Sequence, residues 1–169
     1  MNMFVLLEHE PGPEQQAAGE RRHWDFLVEV AGQERLATWR LAASPLDAGS
    51  RRREIPISHP REDAGRDSRG TGCEKGFSHQ QHISHQQPHQ HISAERIADH
   101  RRVYLTYEGE ISGGRGQVRR IDAGAAQVVR FDGDEIEVAV KGEHLRGVVT
   151  IERVADGGLA FRYVAGPGA

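Results

Sequence analysis

One cysteine, Cys73, stands in 169 residues, which excludes an internal disulfide and a thiolate metal cage. Any metal site in this chain has to be built from histidine and carboxylate. An excess of either charge is also missing: 22 Lys+Arg face 25 Asp+Glu, for a net charge of -3. No overall field then draws the chain to nucleic acid or anionic lipid, and a polyanion would have to be held locally. Long apolar runs are absent, none approaching the roughly 18–20 residues of a membrane span. Met1–Leu7, followed by Glu8, has neither the basic start nor the cleavage site of a secretory signal. The expectation is a soluble, cytoplasmic, monomeric protein with no membrane contact. Apolar content is low as well, at 37% with a mean hydropathy of -0.64, so part of the chain is expected not to fold.

That part is predicted at residues 48–95. Arg, Ser and Gly, then His and Gln, dominate there, and only nine of the 48 positions are apolar. This is too little to offset about 1–2 kcal/mol of backbone entropy per ordered residue. The end of the stretch repeats Ser78-His79-Gln80-Gln81 as Ser84-His85-Gln86-Gln87, a low-complexity texture. His79, His82, His85, His89 and His91 could bind Ni²⁺, Cu²⁺ or Zn²⁺ as a flexible tract, but a tolerated surface insertion is the better explanation of them. Residues 1–47 and 96–169 are expected to form one domain.

In that domain apolar and polar positions alternate in short runs rich in Val, Ile and aromatics, split by Gly and Asp, the pattern of half-buried strands. The runs are Met3–His9, His23–Val30, Arg35–Leu41, Val103–Tyr107, Gly116–Asp122, Ala126–Phe131, Glu135–Val140, Arg146–Val154 and Leu159–Val164. Asp132-Gly133-Asp134 and Asp156-Gly157-Gly158 read as hairpin turns. An all-β fold follows, predicted as a compact antiparallel β-barrel, since closure removes exposed edges. Short helices are conceivable only at Pro13–Arg21 and at Ala94–His100, the latter with Ser93 as N-cap.

One strand is unusual. In His23-Trp24-Asp25-Phe26-Leu27-Val28-Glu29, alternation puts Trp24, Phe26 and Val28 on a core face and His23, Asp25, Leu27 and Glu29 on the other. An imidazole and a carboxylate about 6–7 Å apart along a strand can reach one ion or one phosphate. A polar barrel interior or a metal site would explain them; so would a plain solvent-facing side. His9 ends the preceding strand. If the two strands pair as a hairpin, His9, His23 and Asp25 form a ligand set suited to Mn²⁺, Zn²⁺ or Fe²⁺. Past the insertion comes Asp99-His100-Arg101-Arg102, an imidazole among guanidinium groups. It is placed either to contact a phosphate or to form a solvated basic turn. Gly113-Gly114-Arg115-Gly116 allows close backbone approach to a phosphate, or is only a turn.

Taken in order, these segments resemble the 3′-phosphoesterase domain of bacterial DNA ligase D and its stand-alone relatives. The resemblance rests on a first strand ending in His9, on His23-Trp24-Asp25-Phe26-Leu27-Val28-Glu29, and on Leu36-Ala37-Thr38-Trp39. It continues through Asp99-His100, Tyr104, Tyr107-Glu108-Gly109, Gly116-Gln117-Val118, Asp122 and Leu145-Arg146-Gly147. It implies a divalent metal, usually Mn²⁺, on His9, His23 and Asp25, and a metal-dependent enzyme that removes a 3′-terminal ribonucleoside and then a 3′-phosphate from DNA ends in DNA repair. Catalytic roles would fall to His100, Asp25 and Tyr104, and the partners would be DNA or DNA–RNA 3′ ends and other end-joining repair proteins.

The chain departs from that pattern at Leu27, where the family carries arginine, and at Leu7, where it carries glutamine. Loss of a phosphate-binding guanidinium weakens charge-assisted contacts, and Arg101, Arg102 or Arg115 could replace it beside His100. The alternatives are a non-catalytic module binding phosphate or nucleic-acid ends, and a hydrolase of a small phosphoester.

Overall fold

A computed structural model describes residues 2–47 and 91–166. Nine strands lie among the described residues: β1 (Asn2–Glu10), β2 (His23–Glu29), β3 (Leu36–Leu41), β4 (Ile92–His100), β5 (Gly109–Glu110), β6 (Gln117–Asp132), β7 (Glu135–Lys141), β8 (Arg146–Arg153) and β9 (Leu159–Ala165). The helix α1 spans Pro13–Ala17, and one 3₁₀ turn spans Arg102–Leu105. No helix among them is long and apolar enough to cross a membrane.

All nine strands join one antiparallel sheet in the order β1-β2-β3-β4-β9-β8-β7-β6-β5, and β6 also pairs back onto β1. Eight strands therefore form a ring, with β5 attached to the start of β6. The ring encloses the main core. Phe4 and Leu6, Phe26 and Val28, Trp39 and Leu41, Ile92, Ala126, Val138, Val149, Ile151 and Phe161 belong to one buried cluster drawn from all eight strands. Fully burying a side chain of this size stabilises the fold by about 1.5–3 kcal/mol. Trp39 pins this core, with Nε1 donating to the Asp134 carbonyl at 2.7 Å and the Arg96 guanidinium 4.9 Å from its ring centroid.

The opposite face of β1, β2, β3 and β6 is also covered. Val5, Leu7, Leu27, Leu36 and Val118 form a second buried cluster beneath Tyr104, Leu105 and Ile111. Both faces of β1 and β2 are thus apolar along most of their length, which explains why Met3–Leu7 is a continuous hydrophobic run rather than an alternating one.

Several expectations shift. The proposed strand Val103–Tyr107 is the 3₁₀ turn followed by a loop, packed across the second cluster rather than paired in the sheet. Gly116–Asp122 and Ala126–Phe131 belong to one bent strand, β6, whose first part pairs with β1 and whose last part pairs with β7. The segment Ala94–His100 is strand, not helix. Ser, Ala, Glu and Arg allow a helix, but pairing to β3 on one side and to β9 on the other overrides that weak preference. β4 also takes in residues 92–95, assigned above to the insertion. The rest of the insertion, with its histidines 79–89 and Cys73, lies outside the described residues.

Candidate metal centre

The β1–β2 ladder pairs His9 with His23 and Leu7 with Asp25. Alternation then brings His9, His23 and Asp25 onto one side of two adjacent strands. That side is the outer face of the ring, not its interior. The face of β2 turned into the ring carries Phe26 and Val28, so the polar-interior reading of His23 and Asp25 is set aside. All three residues are buried, at 9%, 6% and 4% exposure, and one ligand atom from each lies within 4.8 Å of the others.

The hydrogen bonds fix which atoms face inward. His9 Nε2 lies 2.9 Å from the Arg115 carbonyl oxygen, and His23 Nδ1 lies 2.9 Å from the Arg21 carbonyl oxygen. A carbonyl can only accept, so each of these nitrogens carries the proton and donates. The remaining nitrogens, His9 Nδ1 and His23 Nε2, are 2.9 Å apart, and in the neutral rings both hold lone pairs. Asp25 Oδ1 is 3.7 Å from His23 Nε2 and is buried without any hydrogen-bond partner. Two converging lone pairs and an unpartnered buried carboxylate oxygen are unfavourable unless a proton or a cation lies among them. Two nitrogens bound at right angles to one ion, each at about 2.0–2.1 Å, are separated by about 3 Å, so the spacing fits a shared metal. Backbone carbonyls on the outer nitrogens are the usual support for ligating imidazoles. Burial holds His23 below the ordinary imidazole value. The Arg21 carbonyl and Asp25 oppose this, and Arg40 and His9 reinforce it.

Two glycines create the His9 support. Gly116 has φ +90°, and a Cβ there would stand 2.0 Å from the Glu10 carbonyl oxygen; a Cβ on Gly12 would stand 1.9 Å from that of Gly114. The glycine turn and the end of β1 therefore touch backbone to backbone, and this contact places the Arg115 carbonyl on His9. The turn serves the histidine through its backbone.

A pocket of about 190 Å³ opens beside the cluster, lined by His9, Asp25, Leu7, Val118, His100, Tyr104 and Arg115 among others. His100 reaches it through an irregularity in β4. Thr38 pairs with Ile97 but Leu36 pairs with His100, so β4 holds one extra residue between the two rungs. This bulge puts Ile97 and His100, three apart, on the same face. The Thr38 hydroxyl accepts from the His100 backbone N–H at 3.3 Å, and His100 Nδ1 donates to the Ala98 carbonyl at 3.0 Å, leaving Nε2 for the pocket. The Tyr104 ring meets the His100 ring edge-on, with centroids 5.1 Å apart.

Of the candidate phosphate-binding arginines, Arg115 lines this pocket. Arg101 lines a larger neighbouring groove of about 920 Å³, which shares Tyr104 and Ile111 with it. Arg102 is turned away, paired with Glu29 at 3.0 Å and donating to the Gln33 carbonyl. Arg40, which the sequence reading passed over, lines the pocket instead, as do Gln15 and Glu20. The sequence signal for Arg40 was only its alternation with Leu36 and Thr38; its rung opposite Asp25 comes from the β2–β3 register. Leu7 and Leu27, 1% and 0% exposed, form the apolar floor under Tyr104.

Asp122 serves the fold. Its carboxylate accepts four backbone N–H groups, from Ala123, Glu143, His144 and Leu145, at 2.7–3.2 Å, and so shapes the β7–β8 turn. Glu108 accepts the Arg120 N–H at 2.7 Å and so ties its loop to β6. A scan of known protein families and a search of curated proteins each return no match for this chain.

Proposed function

We propose that this protein is a divalent-metal-dependent phosphoesterase acting on the 3′ ends of DNA or DNA–RNA strands, with its ring of strands serving as a closed barrel like that of the ligase D phosphoesterases. One observation carries the reading. Two imidazoles, each anchored by a backbone carbonyl, point their bare nitrogens at each other beside an unpartnered buried carboxylate, at the base of a pocket rimmed by His100, Tyr104 and Arg115.

His9, His23 and Asp25 would hold the ion; this donor set suits Mn²⁺, Zn²⁺ or Fe²⁺, and the resemblance to the ligase D phosphoesterases favours Mn²⁺. When bound, the metal polarises a phosphoryl oxygen and makes water a better nucleophile. The chain's own groups do the rest. His100 is held through Nδ1, so Nε2 is directed at the phosphate. There the imidazolium donates a proton to the leaving oxygen, O5′ of the terminal ribonucleoside in the first step and O3′ of the strand in the second, as the P–O bond breaks and a water oxygen bonds to phosphorus. Tyr104 keeps the His100 ring in place, and Arg115 adds positive charge at the rim. The product is a 3′-hydroxyl, which suits cytoplasmic end-joining repair and the partners such repair requires.

The test is incubation with Mn²⁺ and a primer ending in a 3′-phosphate or a single ribonucleotide. Release of phosphate or of the terminal ribonucleoside, abolished in Asp25→Ala, is the expected result; equal rates for the two proteins overturn it. Leu7 in the pocket wall and Leu27 in the apolar cluster behind it favour a second reading, a module that binds 3′-phosphate ends without turnover. Saturable binding with no product selects that reading.

A further inference from the structure

Arg40 sits in β3 directly across the ladder from Asp25, half-buried, with its side chain on the wall of the metal pocket. Its Nε is buried and has no hydrogen-bond partner. None of the ion pairs among the described residues includes it. The other unpartnered group of the site, Asp25 Oδ1, faces the imidazoles, whose outer nitrogens are held by carbonyls. A guanidinium taken partly out of water without an anion is costly, and the fork of donors it presents matches the oxygens of a phosphate. Asp25 on β2 and the exposed Glu95 on β4 stand opposite it in the two ladders, and Glu20 shares the pocket lining, yet no ion pair joins Arg40 to any of them. Its natural partner is therefore an anion entering the pocket.

We propose that Arg40 is the phosphate-binding residue of this pocket, gripping non-bridging oxygens of a phosphomonoester or terminal phosphodiester while His100 serves the bridging one. The inference rests on the metal-phosphoesterase reading for its substrate, but binding of phosphate tests it independently. The same placement has a second consequence. A fixed cation beside the ligand set opposes metal binding and its removal favours it, so a phosphate-binding role and a metal-supporting role predict opposite signs.

The probe is inorganic phosphate, titrated calorimetrically into the full-length protein with and without Mn²⁺, with Mn²⁺ affinity measured in parallel by electron paramagnetic resonance. Expected is a phosphate affinity about ten- to a hundredfold lower in Arg40→Ala, intermediate in Arg40→Lys, with Mn²⁺ affinity unchanged or tighter in both. Arg40→Lys keeps the charge and the stem, so it serves as the readout should Arg40→Ala fail to fold. Equal phosphate affinity in wild type and variants overturns the inference, as does a wild type that binds no phosphate. Loss of Mn²⁺ binding in Arg40→Ala overturns it too, because Arg40 would then be positioning Asp25. Phosphate bound through Arg40 by a protein that neither holds Mn²⁺ nor cleaves ends supports the inference while sinking the catalytic reading.

Discussion

The Arg115 carbonyl oxygen receives the Nε2 proton of His9 from a turn that begins more than a hundred residues further along the chain. That turn keeps its place because Gly116 lies against the carbonyl of Glu10. Gly116→Val forces both a β-branched residue at positive φ and a collision with β1, so the turn must move and His9 loses its acceptor. We expect metal affinity to drop about 10–100-fold, the usual cost of losing such a support, with the ring of strands retained by far-ultraviolet circular dichroism. Unaltered affinity in a folded variant would show that the carbonyl is dispensable.

Metal binding should show directly in stability. A ligand present at about a hundred times its dissociation constant adds roughly 2.7 kcal/mol, which for a domain of this size is a rise in Tm of about 10 °C. Mn²⁺ or Zn²⁺ should produce that shift in the wild type and none in Asp25→Ala. A metal-independent Tm for the wild type would remove the ion from the account.

The metal-free protein should also respond to pH through His23. Its folded pKa is depressed by burial, so below the ordinary value of 6.5 the unfolded chain takes up a proton that the folded ring resists. The contribution is complete above that value and is lost as pH falls toward the folded pKa. Urea midpoints measured between pH 5 and pH 8 should therefore drop on acidification, with a shallower slope in His23→Gln. Parallel slopes would contradict the assignment.

His100→Ala should lower turnover by about 10²–10⁴-fold, the range for a lost proton donor, and leave Mn²⁺ affinity intact, since His100 is held by Ala98 and Thr38 and not by the ligand set. A variant that loses metal and activity together would make His100 a ligand.

Asp122→Ala should destabilise the fold by roughly 3 kcal/mol or more, because it strips the acceptor from the N–H groups of residues 143–145 near a buried Leu145. Chemical denaturation measures this. A loss below about 1 kcal/mol would mean that water replaces the carboxylate without difficulty.

β2 was legible from alternation and β1 as an apolar run ending in His9, whereas the pairing of His9 with His23 hung on a hairpin across the twelve residues between the strands, which the β1–β2 ladder supplies. What escaped was longer in range. β4 looks helical locally and becomes strand only through partners at residues 36–41 and 159–161. The side of the ring that bears the site could not be read from β2, because Leu27 is as apolar as Phe26 and Val28; only the second cluster under Tyr104 shows that both faces are covered. Arg40 was missed because its importance lies in a rung shared with Asp25, and the register of β3 on β2 is not written in either strand by itself.

The ligand residues all lie within the first 25 positions, yet the acceptor that sets the proton on His9 belongs to position 115. A ribosome releases the two in that order. A nascent chain exposing β1 and β2 would display both imidazoles long before the tautomer of His9 is decided, so high-affinity capture should await synthesis of β6 and its closure against β1. Truncated chains ending before residue 115 are then poor scavengers of the ion, however well their first hairpin forms.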